Sequence, residues 1–446
     1  MFSSKTTQIF FKNIFSSHFI THRILFFQSS NFTLRNFKPN LFQLMPYVNF
    51  SPSYHTSSEK STSPSILSKI IKYNPKQFPS TFFSNLIVTG IILSIPVDLL
   101  YTWYQNRCNE YLLNETMEKG TRPQIDIFTE EFVPRPDIVN SLKKIFKPNK
   151  YHSCYYMICG EHGTGKTTLT KIASKEVGQG VIYINIPKKF NTLENFGVAF
   201  EEAINFTFKE HVAFSKKILS NINDNKIYKE KYGKPPIIIY DNISQLIPKY
   251  SDIIDYLQDN AKDNADDGNF ISVFVCNENS VPRRMEMRSA WSRAKKPVIE
   301  IGDLSEKESM KYLINKRKIK KEEAKKLYEL VGGRIVELKE VADDFISGQS
   351  FEVIKDSKLI KVEKRFKAAK LLQDQSNYEI GKRLIKVLLD SKEINTDVFR
   401  EYFKDDKYNE ILEANVFTYH PSRDTVTFQS KLTECYIRKN ANIFIS

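Results

Sequence analysis

The sequence HSCYYMICGEHGTGKTTLTKIASKEV, residues 152–177, combines an apolar run, a glycine-rich loop and an amphipathic segment. The apolar run predicts a buried strand, and the loop GEHGTGKT fits the GxxxxGK[ST] pattern of a phosphate-binding loop. Leu169, Ile172 and Ala173 follow it with the spacing of one helix face. A strand, this loop and a helix in that order make the pattern specific for nucleotide binding.

Each position of the loop has a physical purpose. The glycines let the backbone turn its N–H groups toward phosphate oxygens, and the start of the helix adds positive potential. Lys166 is predicted to reach the β- and γ-phosphates, and the Thr167 hydroxyl is predicted to coordinate Mg²⁺. The predicted nucleotide-binding residues of the loop are Gly160, Glu161, His162, Gly163, Thr164, Gly165, Lys166, Thr167 and Thr168.

Four further apolar runs predict strands at residues 180–187, 235–241, 269–276 and 296–301, with helical stretches between them. This alternation predicts an α/β fold with a five-stranded parallel sheet covered by helices. Asp241 ends the third strand, where its carboxylate is expected to hold Mg²⁺ through water. No guanine-reading [NT]KxD motif follows the fourth strand, so ATP is the expected nucleotide.

The residue after Asp241 is Asn242, at a position where a hydrolytic site usually has an acid. An amide cannot accept a proton from the attacking water, although it can orient that water by hydrogen bonding. Loss of a general base lowers a rate by about 10²–10⁴. The sequence therefore predicts an ATPase with a weakened general base, and Glu278 is an alternative acid at the end of the fourth strand.

The loop, the strand IIIYDN and the extra strand between them resemble the additional-strand P-loop ATPases, the group that contains AAA+ and STAND proteins. Residues 131–146, EFVPRPDIVNSLKKIF, resemble the box before the phosphate loop in STAND and archaeal-type ATPases. Residues 301–313 and 328–345 are similar to their helical lid. This sequence departs from the pattern at Pro134 and Pro136, and at Ile335, where proline is usual.

The resemblance implies roles for residues outside the loop. Arg135 is expected near the nucleotide base, and Gly332, Gly333 and Arg334 are expected to approach the phosphates from the lid. Asn277, followed by Asn279, is expected to sense the γ-phosphate.

Arg293 precedes the fifth strand, where AAA+ proteins place an arginine finger that reaches a neighbouring subunit. Such a cation stabilises charge that develops on the transferred phosphoryl group. The alternative is a solvated basic helix, since Arg283, Arg284 and Arg288 lie nearby. The predicted catalytic residues are therefore Lys166, Asp241, Asn242 and Arg293, and the predicted metal-binding residues are Thr167 and Asp241.

The N-terminal part of the chain has targeting features. Residues 1–58 hold five basic residues and no acidic residue, which predicts a mitochondrial presequence, with a disordered tail as the alternative. After a linker at 59–81, residues 82–104 are long enough to cross about 30 Å of hydrocarbon and have aromatic residues at both ends. They predict a single-pass helix in the mitochondrial inner membrane, and a buried or interfacial helix is the alternative. Residues 105–127 are expected to be a second linker.

Composition adds little about partners. The net charge is +14, but about a third of the excess lies in residues 1–58, so it is weak support for nucleic-acid binding. The five cysteines form no CxxC pair, which predicts free thiols without a metal site or a disulfide framework.

The predicted domains are a P-loop ATPase core at 128–302, a helical lid at 303–375 and a winged-helix domain at 376–446. Three short helices and a hairpin favour the winged helix. Its third helix is acidic, with Asp405, Asp406, Glu410 and Glu413 against Lys407, so nucleic acid is an unlikely partner and a protein contact is favoured.

These features predict a membrane-anchored mitochondrial ATPase that uses ATP and Mg²⁺ as a conformational switch, with protein partners or self-assembly. Two alternatives stay open: a scaffold gated by ATP without hydrolysis, and an organellar nucleic-acid-binding ATPase.

Overall fold

The computed structural model describes residues 100–445, apart from residues 102, 105–106, 109–110, 126–131, 188–196, 200–201, 204–226, 277–279 and 404–406. The expected presequence and nearly all of the expected membrane segment lie outside the described residues, as do Asn277 and Glu278. Among the residues that are described, no helix is both long and apolar enough to span a bilayer.

The centre of the fold is a five-stranded parallel sheet in the order β2-β3-β4-β1-β5, which confirms the predicted α/β architecture. Its strands are β1 (Tyr156–Cys159), β2 (Val181–Asn185), β3 (Ile237–Asp241), β4 (Ile271–Val275) and β5 (Ile299–Glu300). Every residue of β3 and β4 is buried, as expected for strands that are covered on both faces. Strand β4 is the extra strand between β1 and β3. The carboxyl ends of all five strands meet at one edge.

Helices cover both faces of the sheet. On one face, α1 (Pro136–Ile145) and α2 (Lys166–Val177) pack against the strands through Leu142 and Leu169. After the short helix α3 (Ile227–Tyr232), α4 (Ile247–Asp267) packs on the opposite face, followed by α5 (Ser280–Glu286). Short 3₁₀ turns span Ile243–Leu246 and Ser289–Arg293.

The segment that was expected to be a linker covers the sheet edge at β2. Residues 111–119 are helical, and Leu113 and Met117 are buried in the same core as α4. The Thr121 N–H donates to the carbonyl of Val181 at 3.0 Å, and the Thr121 hydroxyl accepts from the Tyr183 N–H at 3.1 Å. These bonds protect an edge strand that would otherwise present unpaired backbone groups.

A helical lid follows β5. It contains α6 (Glu306–Lys311), a π-helical turn (Tyr312–Lys316), α7 (Lys321–Val331), α8 (Ile335–Ile346) and α9 (Phe351–Ala368). Helix α6 begins with a capping box, in which Ser305 and Glu308 satisfy each other's backbone N–H groups.

The C-terminal module begins with α10 (Tyr378–Ser391), β6 (Ile394–Asn395), α11 (Thr396–Tyr402) and α12 (Lys407–Glu413). It continues with the hairpin β7 (Phe417–His420) and β8 (Thr425–Phe428), then α13 (Lys431–Lys439) and α14 (Ala441–Phe444). Its three strands form an antiparallel sheet in the order β6-β8-β7.

The lid and the C-terminal module share one hydrophobic core. Phe366 of α9 is fully buried, and its ring centroid lies 5.0 Å from that of Tyr436 and 5.1 Å from that of Phe444. One contiguous core makes the two segments a single packed body.

We expect Phe366→Ala to lower the free energy of unfolding of this body by about 3–5 kcal/mol, because it leaves a cavity among aromatic rings. The matched control is Ile360→Ala on the same helix, where the side chain is 52% exposed and the expected change is within about 0.5 kcal/mol. Guanidinium denaturation monitored by circular dichroism measures both. Equal effects of the two substitutions would contradict a shared core.

Candidate functional site

The glycine-rich loop connects β1 to α2 at the carboxyl edge of the sheet. Gly163 and Gly165 have φ values of +83° and +89°, in the left-handed region that favours glycine. At Gly160, where φ is +144°, a Cβ atom would lie 2.4 Å from the carbonyl oxygen of Ile301. The loop therefore requires glycine for its backbone path, which bends around the side chain of Lys166.

Lys166 lies inside this bend and is only 2% exposed. Its ammonium group donates to the carbonyl of Glu161 at 2.6 Å and to the Thr164 hydroxyl at 3.4 Å. Burial lowers the pKa of Lys166, while nearby acidic groups, including Glu161 and Asp241, act in the opposite direction. A phosphate group at the loop would exchange these neutral acceptors for a charged one, which forms a stronger hydrogen bond.

Asp241 lies beside the start of α2 and is fully buried. Its Oδ1 atom accepts from the Thr167 hydroxyl at 3.3 Å and from the Asn242 N–H at 2.7 Å. Its Oδ2 atom accepts from the Tyr183 hydroxyl. Burial raises the pKa of Asp241, and the hydrogen bonds from Tyr183, the Asn242 N–H and Thr167 oppose that rise.

The two predicted metal-binding residues are thus adjacent. A hydroxyl and a carboxylate are the oxygen donors that Mg²⁺ prefers, and Mg²⁺ commonly completes its shell with substrate phosphates and water. Thr167 and Asp241 fit such an ion. When bound, Mg²⁺ would neutralise charge on the β- and γ-phosphates.

Asn242 has φ 61° and ψ 32°, a left-handed conformation that asparagine tolerates better than most residues. Its Nδ2 atom donates to Oδ1 of Asn185 at 2.8 Å, at the end of β2. The side chain therefore supplies an amide contact where an acid would serve as a base. The backbone conformation gives a second reason for asparagine here.

Glu161 was predicted to contact nucleotide, but its side chain contacts the C-terminal module. Its Oε1 atom accepts from the Thr418 hydroxyl at 3.0 Å, and its Oε2 atom accepts from Nε2 of Gln429 at 3.0 Å. The loop is thus hydrogen-bonded directly to the C-terminal hairpin, at the beginning of β7 and just after the end of β8. The two other polar loop positions differ in exposure: His162 is exposed and Thr168 is half-buried.

Arg334 lies where the lid meets the loop and is 6% exposed. Its guanidinium contacts Asp303 at 3.1 Å, donates to the carbonyl of Gln429 at 2.9 Å, and lies 4.0 Å from the Glu161 carboxylate. A Cβ atom on Gly333 would lie 1.9 Å from the Leu304 carbonyl, so the turn before Arg334 needs glycine there. The lid thus brings Arg334 close to the loop; a direct contact of Arg334 with phosphate stays a prediction.

Arg135 joins the segment before α1 to the connection between β5 and the lid. It donates to the carbonyl of Gly302 at 2.8 Å and to that of Asp303 at 3.3 Å. Burial lowers its pKa, and Glu308 and Asp303 oppose that change. Its predicted role at the nucleotide base stays a prediction.

Arg293 lies at the edge of the sheet where the strands begin, opposite the edge that carries the phosphate loop. Its carbonyl accepts from the N–H of Tyr155, just before β1. Its guanidinium forms an ion pair with the exposed Asp266. Arg293 is therefore remote from the loop of its own chain, and a role in a neighbouring subunit's site stays a prediction. Asn277 lies outside the described residues.

Sequence reasoning missed Tyr183 and Asn185. Both lie on β2, whose position next to β3 is known only from the strand order. An aromatic residue and an amide in an apolar strand were the available signals.

The fold and the loop together define a P-loop ATPase domain. Residues 132–341 match the sequence model of a family described as "ATPase domain predominantly from Archaea". This match confirms the predicted resemblance to P-loop ATPases of archaeal type. No curated protein sequence matches the chain.

Solved structures are similar at low sequence identity. A Walker-type ATPase of Pyrococcus abyssi is 13% identical over 71% of this chain and 99% of its own, with a TM-score of 0.46. The ORC2 protein of Aeropyrum pernix in its ADP form is 16% identical over 73% and 97%, with a TM-score of 0.39. A STAND protein with a tetratricopeptide repeat sensor from Pyrococcus horikoshii is 16% identical over 71% and 43%, with a TM-score of 0.32.

We expect Lys166→Ala to raise the dissociation constant for ATP by at least about tenfold, because it removes a charge-assisted bond to phosphate. Lys175→Ala is the control, since Lys175 is exposed at the other end of the same helix. Isothermal titration calorimetry on the full chain gives both constants. Equal affinities for ATP in the two variants would contradict a nucleotide site at this loop.

Proposed function

We propose that the protein binds ATP with Mg²⁺ at this loop, hydrolyses ATP slowly, and uses nucleotide occupancy to control attachment of the C-terminal hairpin. One observation carries the switch: Glu161, inside the phosphate loop, accepts hydrogen bonds from Thr418 and Gln429 of the C-terminal module. One of the residues that hold the module is therefore part of the loop that would hold the phosphates.

Electrostatics supports competition between the two. The polyphosphate of ATP adds negative charge to a loop that already contains the Glu161 carboxylate, and like charges in a poorly solvated site repel. Lys166 and Arg334, which now lie near Glu161, are also the cations best placed to turn toward phosphate. ATP then binds more tightly to the state in which the hairpin is released, which is the condition for a population shift.

The C-terminal module makes further contacts with the ATPase domain. At the end of β5, Glu300 accepts from Nδ1 of His420 and from the N–H of Ser422, each at 3.2 Å. Although burial raises the pKa of Glu300, the bonds from His420 and Ser422 lower it below its usual range. The Tyr419 hydroxyl donates to Glu286 of α5 at 2.9 Å. The bonds to Glu161 are thus part of a larger interface between the module and the ATPase domain.

We propose that this module is a winged helix that contacts protein. Helix α12 faces Arg283 of α5, which bonds to Asn409 and lies 5.8 Å from the ring of Tyr408. The helix expected to enter a DNA groove is therefore in contact with the ATPase domain in this arrangement. The comparisons do not support the prediction against nucleic acid, so nucleic-acid binding after release stays an alternative.

The position of Asn242 favours the second candidate, a scaffold gated by ATP without hydrolysis. Its side chain is bonded to Asn185, and it has no carboxylate to accept a proton from water. The two candidates differ only in whether the bound nucleotide is cleaved.

The sequence also supports a location. The acid-free basic residues 1–58 and the apolar residues 82–104 support import into mitochondria and a single-pass anchor in the inner membrane. Exposed Arg293 supports self-assembly in which one subunit completes the site of the next.

Phosphate release by the full chain distinguishes the candidates. We expect slow release from the wild type, none from Lys166→Ala, and a modestly lower rate in Asn242→Ala, because the amide can orient the attacking water but is not a base. Asn242→Glu is expected to raise the rate by about 10² or more, since a general base contributes about 10²–10⁴. If the wild-type protein binds ATP but releases no phosphate, the result would contradict hydrolysis and favour the ATP-gated scaffold.

Attachment of the hairpin is tested through ATP affinity. Thr418→Val keeps the shape of the side chain but removes its bond to Glu161, so the attached state weakens and ATP should bind about five- to tenfold more tightly. Thr425→Val is the control on the same hairpin, because Thr425 bonds to Glu393 within the module. Unchanged or weaker ATP binding by Thr418→Val would contradict competition at Glu161.

A further inference from the structure

The geometry points to Tyr183 as a positioning residue that fixes the Asp241 carboxylate for magnesium. This inference rests on the proposed nucleotide function and concerns a residue outside the phosphate loop, the strand-end carboxylate and the lid. Tyr183 is 4% exposed, and its hydroxyl donates to Oδ2 of Asp241.

Strand register explains how this contact forms. Strands β2 and β3 pair in parallel, with Tyr183 opposite Ile239 and Asn185 opposite Asp241. Tyr183 is therefore two residues short of Asp241 along the sheet, on the same face. A long side chain can span that step where a shorter hydroxyl residue cannot.

The two oxygens of Asp241 are held from two directions. Thr167 of α2 and the Asn242 N–H donate to Oδ1, and Tyr183 of β2 donates to Oδ2. These bonds fix the rotation of the carboxylate and direct Oδ1 to the side of Thr167, where the metal is expected. The Tyr183 backbone is fixed in turn by its N–H bond to the Thr121 hydroxyl at 3.1 Å.

Loss of the Tyr183 hydroxyl would leave Oδ2 buried without this donor. A buried charged acceptor that loses a hydrogen bond is strongly disfavoured, so the carboxylate would rotate toward another donor and away from its position beside Thr167. The effect should appear in the magnesium dependence of nucleotide binding. Binding without magnesium should stay unchanged, because the bond that is removed joins Tyr183 to Asp241 and not to the loop.

The test measures binding of a fluorescent ATP analogue to the full chain, in EDTA and across a Mg²⁺ titration. We expect Tyr183→Phe to raise the half-saturating Mg²⁺ concentration by about tenfold or more, with unchanged affinity in EDTA. Tyr240→Phe is the matched control, since Tyr240 is a buried tyrosine on the opposite face of the same sheet. Its ring centroid lies 5.3 Å from that of Phe274. This control should leave the Mg²⁺ dependence unchanged.

A double-mutant cycle separates positioning from a general structural effect. In an Asp241→Asn background, Tyr183→Phe should shift the Mg²⁺ dependence no further, because Tyr183 acts through that carboxylate. The same shift in both backgrounds would overturn the inference, as would an unshifted Tyr183→Phe. Tyr183→Met also lacks the hydroxyl and is the second variant should Tyr183→Phe not fold; it should show the same shift, and thermal unfolding monitors both.

The outcome also separates this inference from the proposed function. Wild-type protein that binds no ATP analogue would contradict the nucleotide site itself. Wild-type protein that binds the analogue with Mg²⁺, while Tyr183→Phe matches it at every Mg²⁺ concentration, would contradict only the role of Tyr183.

Discussion

A parallel sheet brings the carboxyl ends of its strands to one edge, and the site of this protein depends on that constraint. The phosphate loop leaves β1 there, Asp241 ends β3 there, and Glu300 ends β5 there. Because Asp241 is fully buried, it must be satisfied by donors, and it takes them from α2, from β2 and from its own neighbour. One carboxylate thus links three elements around the expected position of the metal.

The same edge is where the C-terminal module attaches. Glu161 and Glu300 both accept hydrogen bonds from the hairpin, one within the phosphate loop and one beside it. Carboxylates on the nucleotide side and hydroxyl, amide and imidazole groups on the hairpin make the interface polar. A polar interface of this kind can exchange its hydrogen bonds for bonds to water or phosphate, which is consistent with the proposed release of the module.

The sequence predicted what local patterns determine and missed what depends on distant pairing. The loop and the five strands were predictable because their glycines and apolar runs are contiguous. Glu161 is different, since its partners Thr418 and Gln429 lie 257 and 268 residues away along the chain. Tyr183 contacts Asp241 only because β2 is next to β3. The helix at 111–119 was not predicted, because most of its residues are polar and only two apolar residues, Leu113 and Met117, are buried in the core.

The shared core of the lid and the C-terminal module has a mechanical consequence. Because the two segments pack around Phe366 as one body, a rotation of that body relative to the sheet would have to bend the short connection at residues 302–305. Asp303 lies in that connection, where its carbonyl accepts from Arg135 of the ATPase domain and its carboxylate accepts from Arg334 of the lid. If Arg334 contacts phosphate as proposed, a small displacement of its side chain would therefore be transmitted through the lid to the whole C-terminal module.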